Sequence, residues 1–198
     1  MYQLLRLAVR RYIKFIYKIK IIGKKNIPKK GSAAILCSNH EGYGEPCIIS
    51  CCYLPRLYFL AKAELFKFKP FGAILKTLGA IPLQRSKADV GALKKGLDKL
   101  KSGGKLVIFP QGHRFKEFDP KSGKRGAAKL AIKADCPIIP ISICRQRTFL
   151  FKKIFCFIGE PIYSEGRDER ELMDVVMQKI ADGLNDFYGE KTPVVSSS

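Results

Sequence analysis

The chain has no tryptophan, two histidines and three methionines in 198 residues. Its seven cysteines form no Cys-x-x-Cys pair. Cys47, Cys51 and Cys52 cluster, but neither His40 nor His113 stands at zinc-like spacing from them, so no metal site is expected. An odd number of cysteines among apolar neighbours reads as small buried side chains in a reducing compartment. The sequence has no Gly-x-Ser-x-Gly elbow, which argues against a serine hydrolase. No stretch reaches the ~18 apolar residues of a membrane-spanning helix. The N-terminus has neither an uninterrupted apolar core nor a small-residue cleavage site, so no secretory signal is expected. Acidic residues are scarce: 17 Asp and Glu face 37 Lys and Arg, a formal charge of +20. That surplus calls for an anionic partner, whether nucleic acid, anionic membrane or phosphorylated substrate, and composition alone does not choose.

What is present suits one globular domain, with 46% hydrophobic and 11% aromatic residues. Residues 3–20 have helical periodicity. Leu4, Leu5, Ala8, Val9, Tyr12, Phe15, Ile16 and Ile19 share one face, and Arg6, Arg10, Arg11, Lys14 and Lys18 the other; Leu7 and Tyr17 break the polar side. The segment reads as a basic amphipathic helix over 1–19 contacting an anionic membrane, or else as one packed on its own domain with a solvated basic face. Short strands are expected at 20–23, 33–37, 57–61, 80–83, 105–109, 137–143 and 154–158. Helices are expected at 47–53, within 64–78 with an interruption near Pro70, and at 88–101, 124–134 and 168–188. Val90, Leu93, Leu97 and Leu100 should line one buried face, and Leu172, Val176, Ile180, Leu184 and Phe187 another. This alternation predicts a single α/β domain over 20–190: a mostly parallel central sheet flanked by helices, after an N-terminal basic amphipathic helix. Residues 191–198 read as a disordered tail.

Ligands of open α/β sheets bind beyond the carboxyl ends of the strands. His40 stands just past the 33–37 strand, and Glu45 follows a turn built on Gly42, Gly44 and Pro46. Five residues apart on a helix, the two would face different ways; across a tight turn they can meet. A carboxylate on one imidazole nitrogen fixes the tautomer and leaves the other nitrogen as a general base. The alternative is a strand-end His followed by an acid favoured at a helix N-terminus. Arg85 ends another strand with a fork suited to phosphate, or is a surface arginine. In Phe109-Pro110-Gln111-Gly112-His113-Arg114, Gly112 permits a bend or close ligand approach, Gln111 both donates and accepts, and Arg114 offers a second phosphate contact. His113 has no orienting neighbour in sequence and reads as a supporting or surface residue. Cys136-Pro137-Ile138-Ile139-Pro140-Ile141-Ser142 is expected to shape a pocket wall.

Taken in order, these four stretches resemble the motif series of the glycerolipid acyltransferases related to 1-acylglycerol-3-phosphate acyltransferase. That series runs Asn-His-x4-Asp, Gly-x-Ile-x-x-x-Arg, Phe-Pro-Glu-Gly-Thr-Arg, then a Val/Ile-Pro strand. Lys124-Arg125-Gly126-Ala127 and Gly159-Glu160-Pro161-Ile162 are similar too, so the likeness covers about residues 20–165. The resemblance implies phospholipid biosynthesis: transfer of a fatty acyl group from acyl-carrier protein or acyl-CoA, as co-substrate rather than cofactor, to a lysophospholipid hydroxyl. His40 would be the base, Glu45 its partner, Arg85 the phosphate ligand, and Gln111, Gly112 and Arg114 further acceptor contacts. It implies a peripheral or monotopic place on the cytoplasmic face of the cell membrane. Nucleic acid is not expected as a partner, since no base-stacking or groove-reading motif is present. Three departures stand out: Glu45 replaces the aspartate, Gln111 the glutamate and His113 the threonine. They leave open a different lipid acceptor or a catalytically impaired relative.

Overall fold

The computed structural model describes residues 7–8, 11–12, 16–42, 44–52, 56–84, 89–115, 117–147 and 152–189. Seven strands form one sheet: β1 (Tyr17–Ile22), β2 (Ala34–Ser38), β3 (Leu57–Lys62), β4 (Ala80–Leu83), β5 (Lys105–Ile108), β6 (Ile138–Arg147) and β7 (Lys152–Ile158). Their order is β1-β7-β6-β2-β5-β3-β4, and β6 with β7 is the antiparallel pairing among otherwise parallel neighbours. The expected mostly parallel α/β sheet is therefore present.

Five helices cover it: α1 (Glu45–Cys52), α2 (Lys69–Thr77), α3 (Val90–Lys101), α4 (Gly126–Ala134) and α5 (Glu169–Tyr188). Strand side chains alternate between faces, and β2 divides accordingly. Ile35 and Cys37 join the core under α3, α4 and α5, whereas Ala34 and Leu36 pack with Ile48, Ile49 and Cys52 of α1. Every residue of β2 is buried, as a strand covered on both faces requires. The long α5 starts at a capping box made by Asp168 and Glu171, and presents Leu172, Val176, Ile180 and Leu184 to the core. Phe187 packs against that core partly exposed, as its spacing predicts. The Pro-Ile stretch expected as a wall is an interior strand, with Ile138, Ile139, Ile141 and Ile143 buried.

Two expectations are corrected, and a third is made specific. Residues 17–20 are not the end of a helix: the strand pairing of β1 begins at Tyr17, opposite Lys152 of β7, and Ile19 packs as a strand residue. Leu7, Ala8, Arg11, Tyr12 and Ile16 are helical and exposed, and the rest of 1–15 lies outside the described residues. The 64–78 stretch is interrupted next to Pro70, as expected: the 3-10 turn Ala63–Phe66 ends, and α2 starts at Lys69 with Pro70 in its first turn, where the missing N–H costs nothing. Val90 is 72% exposed because Asp89, by accepting from the Ala92 N–H, makes Val90 the first helical residue. Ala92, Gly96 and Leu100 are the residues α3 buries.

The carboxyl ends of β2, β3, β4 and β5 lie on one rim. Because β7 reverses direction and β1 runs parallel to β7, β1 starts on that same rim.

Candidate active site

Asn39 fixes how the chain leaves β2. Its side chain substitutes for a strand peptide: Nδ2 donates to the Ile143 carbonyl at 3.0 Å, and the Ile143 N–H donates to Oδ1 at 2.8 Å. The residue is 1% exposed, so both bonds are formed away from water. Asn39 Nδ2 also donates to Glu41 Oε1 at 3.0 Å. His40 is thereby placed at the rim, its side chain 13% exposed.

Glu45 is the first residue of α1 and is fully buried. Its Oε2 lies 3.0 Å from His40 Nδ1. The Gly42 N–H donates to both carboxylate oxygens, at 3.0 and 3.1 Å. Arg145, from β6, donates through Nη2 to Oε1. Its Nε is buried, has no hydrogen-bond partner among the described residues, and faces Glu41 Oε2 at 3.8 Å. Burial pushes the Glu45 carboxyl up, but the His40 bond, the Arg145 charge and the backbone together bring it below the ordinary value. Glu41 goes the other way: burial raises it, with Arg145 and Asn39 opposing. An ionised Glu45 accepts the Nδ1 proton, which leaves the Nε2 lone pair available; no hydrogen bond to Nε2 is formed among the described residues.

The third motif loop wraps the imidazole. Phe109 stacks on the His40 ring, with centroids 4.1 Å apart and planes at 20°. The Phe115 N–H donates to the His40 carbonyl at 3.0 Å. Between them the chain turns through Gly112 at φ +80°, where a Cβ would come within 2.8 Å of the Lys124 ammonium. Gln111 is buried, and its Nε2 donates to Ser122 at 3.1 Å. Arg114 and His113 are exposed, and His113 tilts against Phe115. Arg85 lies outside the described residues. The end of β4 that leads to it is three strand spacings from β2, about 14 Å.

The structure thus brings His40 and Glu45 together and adds Asn39, Glu41, Arg145, Phe109 and Lys124 to their surroundings. Arg145 had no local signal: a hundred residues separate it from Glu45. Asn39 had one, since it adjoins His40 in the first motif. Six of the seven cysteines are buried, and Cys47 is partly buried. Burial, with Asp135 beside it, pushes the Cys136 thiol up to about 11, and burial, with Glu41 nearby, pushes Cys144 up to about 12.

Comparison with known proteins gives the family and the fold. Residues 18–144 match the family described as Acyltransferase. The chain is 31% identical over 150 residues to the 1-acyl-sn-glycerol-3-phosphate acyltransferase of Bacillus subtilis, covering 73% of this chain and 74% of that one. It is 27% identical over 181 residues to the chloroplastic BAT2 enzyme of the same name from Brassica napus, covering 85% of this chain and 52% of the relative, about half its length. The crystal structure of PlsC, the 1-acyl-sn-glycerophosphate acyltransferase of Thermotoga maritima, superposes with a TM-score of 0.78 at 24% identity over 96% of this chain and 80% of that one, a likeness of fold.

Proposed function

The chain belongs to the acyltransferase family, and we propose that it makes phosphatidic acid by moving a fatty acyl group from acyl-carrier protein or acyl-CoA to the free hydroxyl of 1-acylglycerol 3-phosphate. The observation that carries this reading is the His40–Glu45 pair on the rim of the sheet, with Glu45 buried, ionised and held from three sides. The names of its relatives supply the acceptor.

In this reading Nε2 of His40 takes the acceptor's hydroxyl proton as the oxygen bonds to the thioester carbonyl carbon. The C–S bond then breaks, and the thiolate leaves with the proton returned by the imidazolium. Glu45 keeps the imidazole in the useful tautomer and offsets its positive charge. No acyl-enzyme forms, in keeping with thiols held protonated by burial. Stacking on Phe109 limits rotation of the ring. The phosphate would be held by Arg85, by Arg114 and by Lys124, whose ammonium overhangs the Gly112 turn. No resident cofactor or metal has a role.

A different lipid acceptor is the second reading, and Gln111 favours it: the amide is buried on Ser122 and carries none of the charge of the glutamate it replaces. We place the enzyme peripherally on the cytoplasmic membrane face. No helix among the described residues is long and apolar enough to cross a bilayer. The exposed Ala8, Tyr12 and Ile16 support lipid contact by the N-terminal segment over packing on its own domain.

Purified protein should be given labelled acyl-carrier protein or acyl-CoA with either glycerol phosphate or 1-acylglycerol 3-phosphate. Labelled phosphatidic acid is the expected product. Thioester loss at the same rate without acceptor would make the protein a hydrolase, and a labelled lipid from another acceptor alone would select the second reading.

A further inference from the structure

We propose that residues 62–76 form a docking surface for an anionic lipid bilayer, on the rim that carries His40. The proposal deepens the reading above by assigning its membrane contact to a second segment, far from the N-terminus.

An ordinary surface helix turns its apolar stripe inward. Here the reverse holds. Across the 3-10 turn Ala63–Phe66, the capping Phe68 and α2, Leu65 is 44% exposed, Phe68 69%, Phe71 44% and Ile74 44%. The one residue α2 buries is Gly72, and a Cβ there would meet the Phe66 carbonyl oxygen at 2.9 Å. The closest contact that seats α2 is thus a bare backbone approach; Leu75 is partly buried, and Phe71 and Ile74 are left outside. Large apolar side chains scattered singly are unremarkable, but four within ten residues make a patch that a soluble surface does not need.

Charge selects the occupant. Residues 62–76 contain Lys62, Lys67, Lys69 and Lys76 against the single acid Glu64. Lys62 pairs with Glu64 at 3.3 Å, leaving a positive surplus around the two phenylalanines. Aromatics flanked by lysines suit the headgroup layer of an anionic leaflet, where each cation near the surface strengthens binding. A second copy of this chain fits poorly, because a self-complementary contact would bring the same lysines face to face.

Position supplies the independent argument. β3 ends on the His40 rim, so Leu65 and Phe68 stand there, at the start of the descent of α2. β1 starts on the same rim, preceded by the exposed Tyr12 and Ile16. β1 and β3 are five strand spacings apart, about 24 Å, with β2 and His40 between them. A bilayer resting on both ends lies across the mouth of the site, where an acceptor anchored in it by its acyl chain presents its hydroxyl.

The test is co-sedimentation of the full chain with phosphatidylcholine vesicles, with and without phosphatidylglycerol. The variants are Phe68→Ser with Phe71→Ser, and Lys67→Glu with Lys69→Glu. All four side chains are exposed, and thermal melts check that folding is kept. Wild type should bind anionic vesicles preferentially, and each double variant should lose binding on the order of ten-fold. Transfer to a dispersed short-chain acceptor should stay at the wild-type rate. Undiminished binding by the variants overturns the proposal, as does equal wild-type binding to neutral vesicles. A wild-type dimer dissolved by Phe68→Ser with Phe71→Ser, with vesicle binding intact, assigns the patch to self-association instead. Patch-dependent binding by a protein that transfers no acyl group leaves the surface standing and removes the reaction.

Discussion

The Arg145 guanidinium, carried by β6, donates to the same Glu45 carboxylate that His40 engages from the loop after β2. Asn39, one residue before His40, is bonded to both backbone groups of Ile143, two residues before Arg145. The two strands are therefore locked in register where their side chains meet. This explains how a glutamate, one methylene longer than the family's aspartate, holds His40 at 3.0 Å: one oxygen is committed to Arg145 and the other to the imidazole, with the Gly42 N–H spanning both.

His40→Ala removes the proposed base. General-base catalysis contributes about 10² to 10⁴-fold, so kcat/KM should fall by at least the lower figure while the far-ultraviolet spectrum stays that of wild type. Because the ring is partly exposed at the rim, the loss should be catalytic and not a loss of folding. Residual activity above a tenth of wild type would assign proton removal to another group.

Glu45 ties stability to pH. Its folded-state pKa lies below the ordinary value. Its ionised form therefore stabilises the fold above the free carboxylate pKa of about 4.3, and that contribution drains as pH falls through the lower folded value. Glu45→Gln should melt below wild type at neutral pH, and the gap should close as the pH falls below the free carboxylate value and through the lower folded one. Parallel melting curves across that range would mean that Glu45 is not ionised in the fold. The same variant should turn over slowly, because a neutral amide no longer offsets an imidazolium.

The sheet was readable because β2 and β5 are short apolar runs ending in polar turns that contain glycine, and because α5 carries its spacing over twenty residues. The pairing of His40 with Glu45 was readable because five residues and two glycines confine it to one turn. The start of β1, Tyr17–Ile19, misled because it satisfies a helical wheel nearly as well as a strand, whereas the strand over 20–22 was expected; the β7 backbone, distant in sequence, decides. Arg145 could not be found from its neighbours Cys144 and Gln146. Its role exists only once β6 lies beside β2, and pattern within a segment does not encode that adjacency.

Asn39→Leu keeps the volume and removes the amide that pairs with Ile143. Two buried backbone groups are then left without partners, at about 1 to 3 kcal/mol each. For a chain of this size each kcal/mol is worth about 2 to 4 °C, so Tm should fall by roughly 5 to 15 °C. His40 loses its anchor as well, so activity at low temperature, with the protein still folded, should also drop. A melt within one degree of wild type would show that water or a neighbour satisfies Ile143 equally well.

Arg145→Met separates positioning from charge. Methionine fills much of the aliphatic volume but leaves Glu45 without one of the groups that hold its carboxyl below the ordinary value. That value should rise, so the acid limb of the pH–stability profile should move to higher pH, and kcat should fall more than KM rises. Arg145→Lys restores the charge without the planar fork that reaches both Glu45 and Glu41. It should return the acid limb to its wild-type position while recovering only part of kcat. A merely structural role would lower stability in both variants and leave the limb unmoved. If that is the result, Arg145 is a strut between β6 and the His40 loop, and Glu45 owes its ionisation to Gly42 and His40.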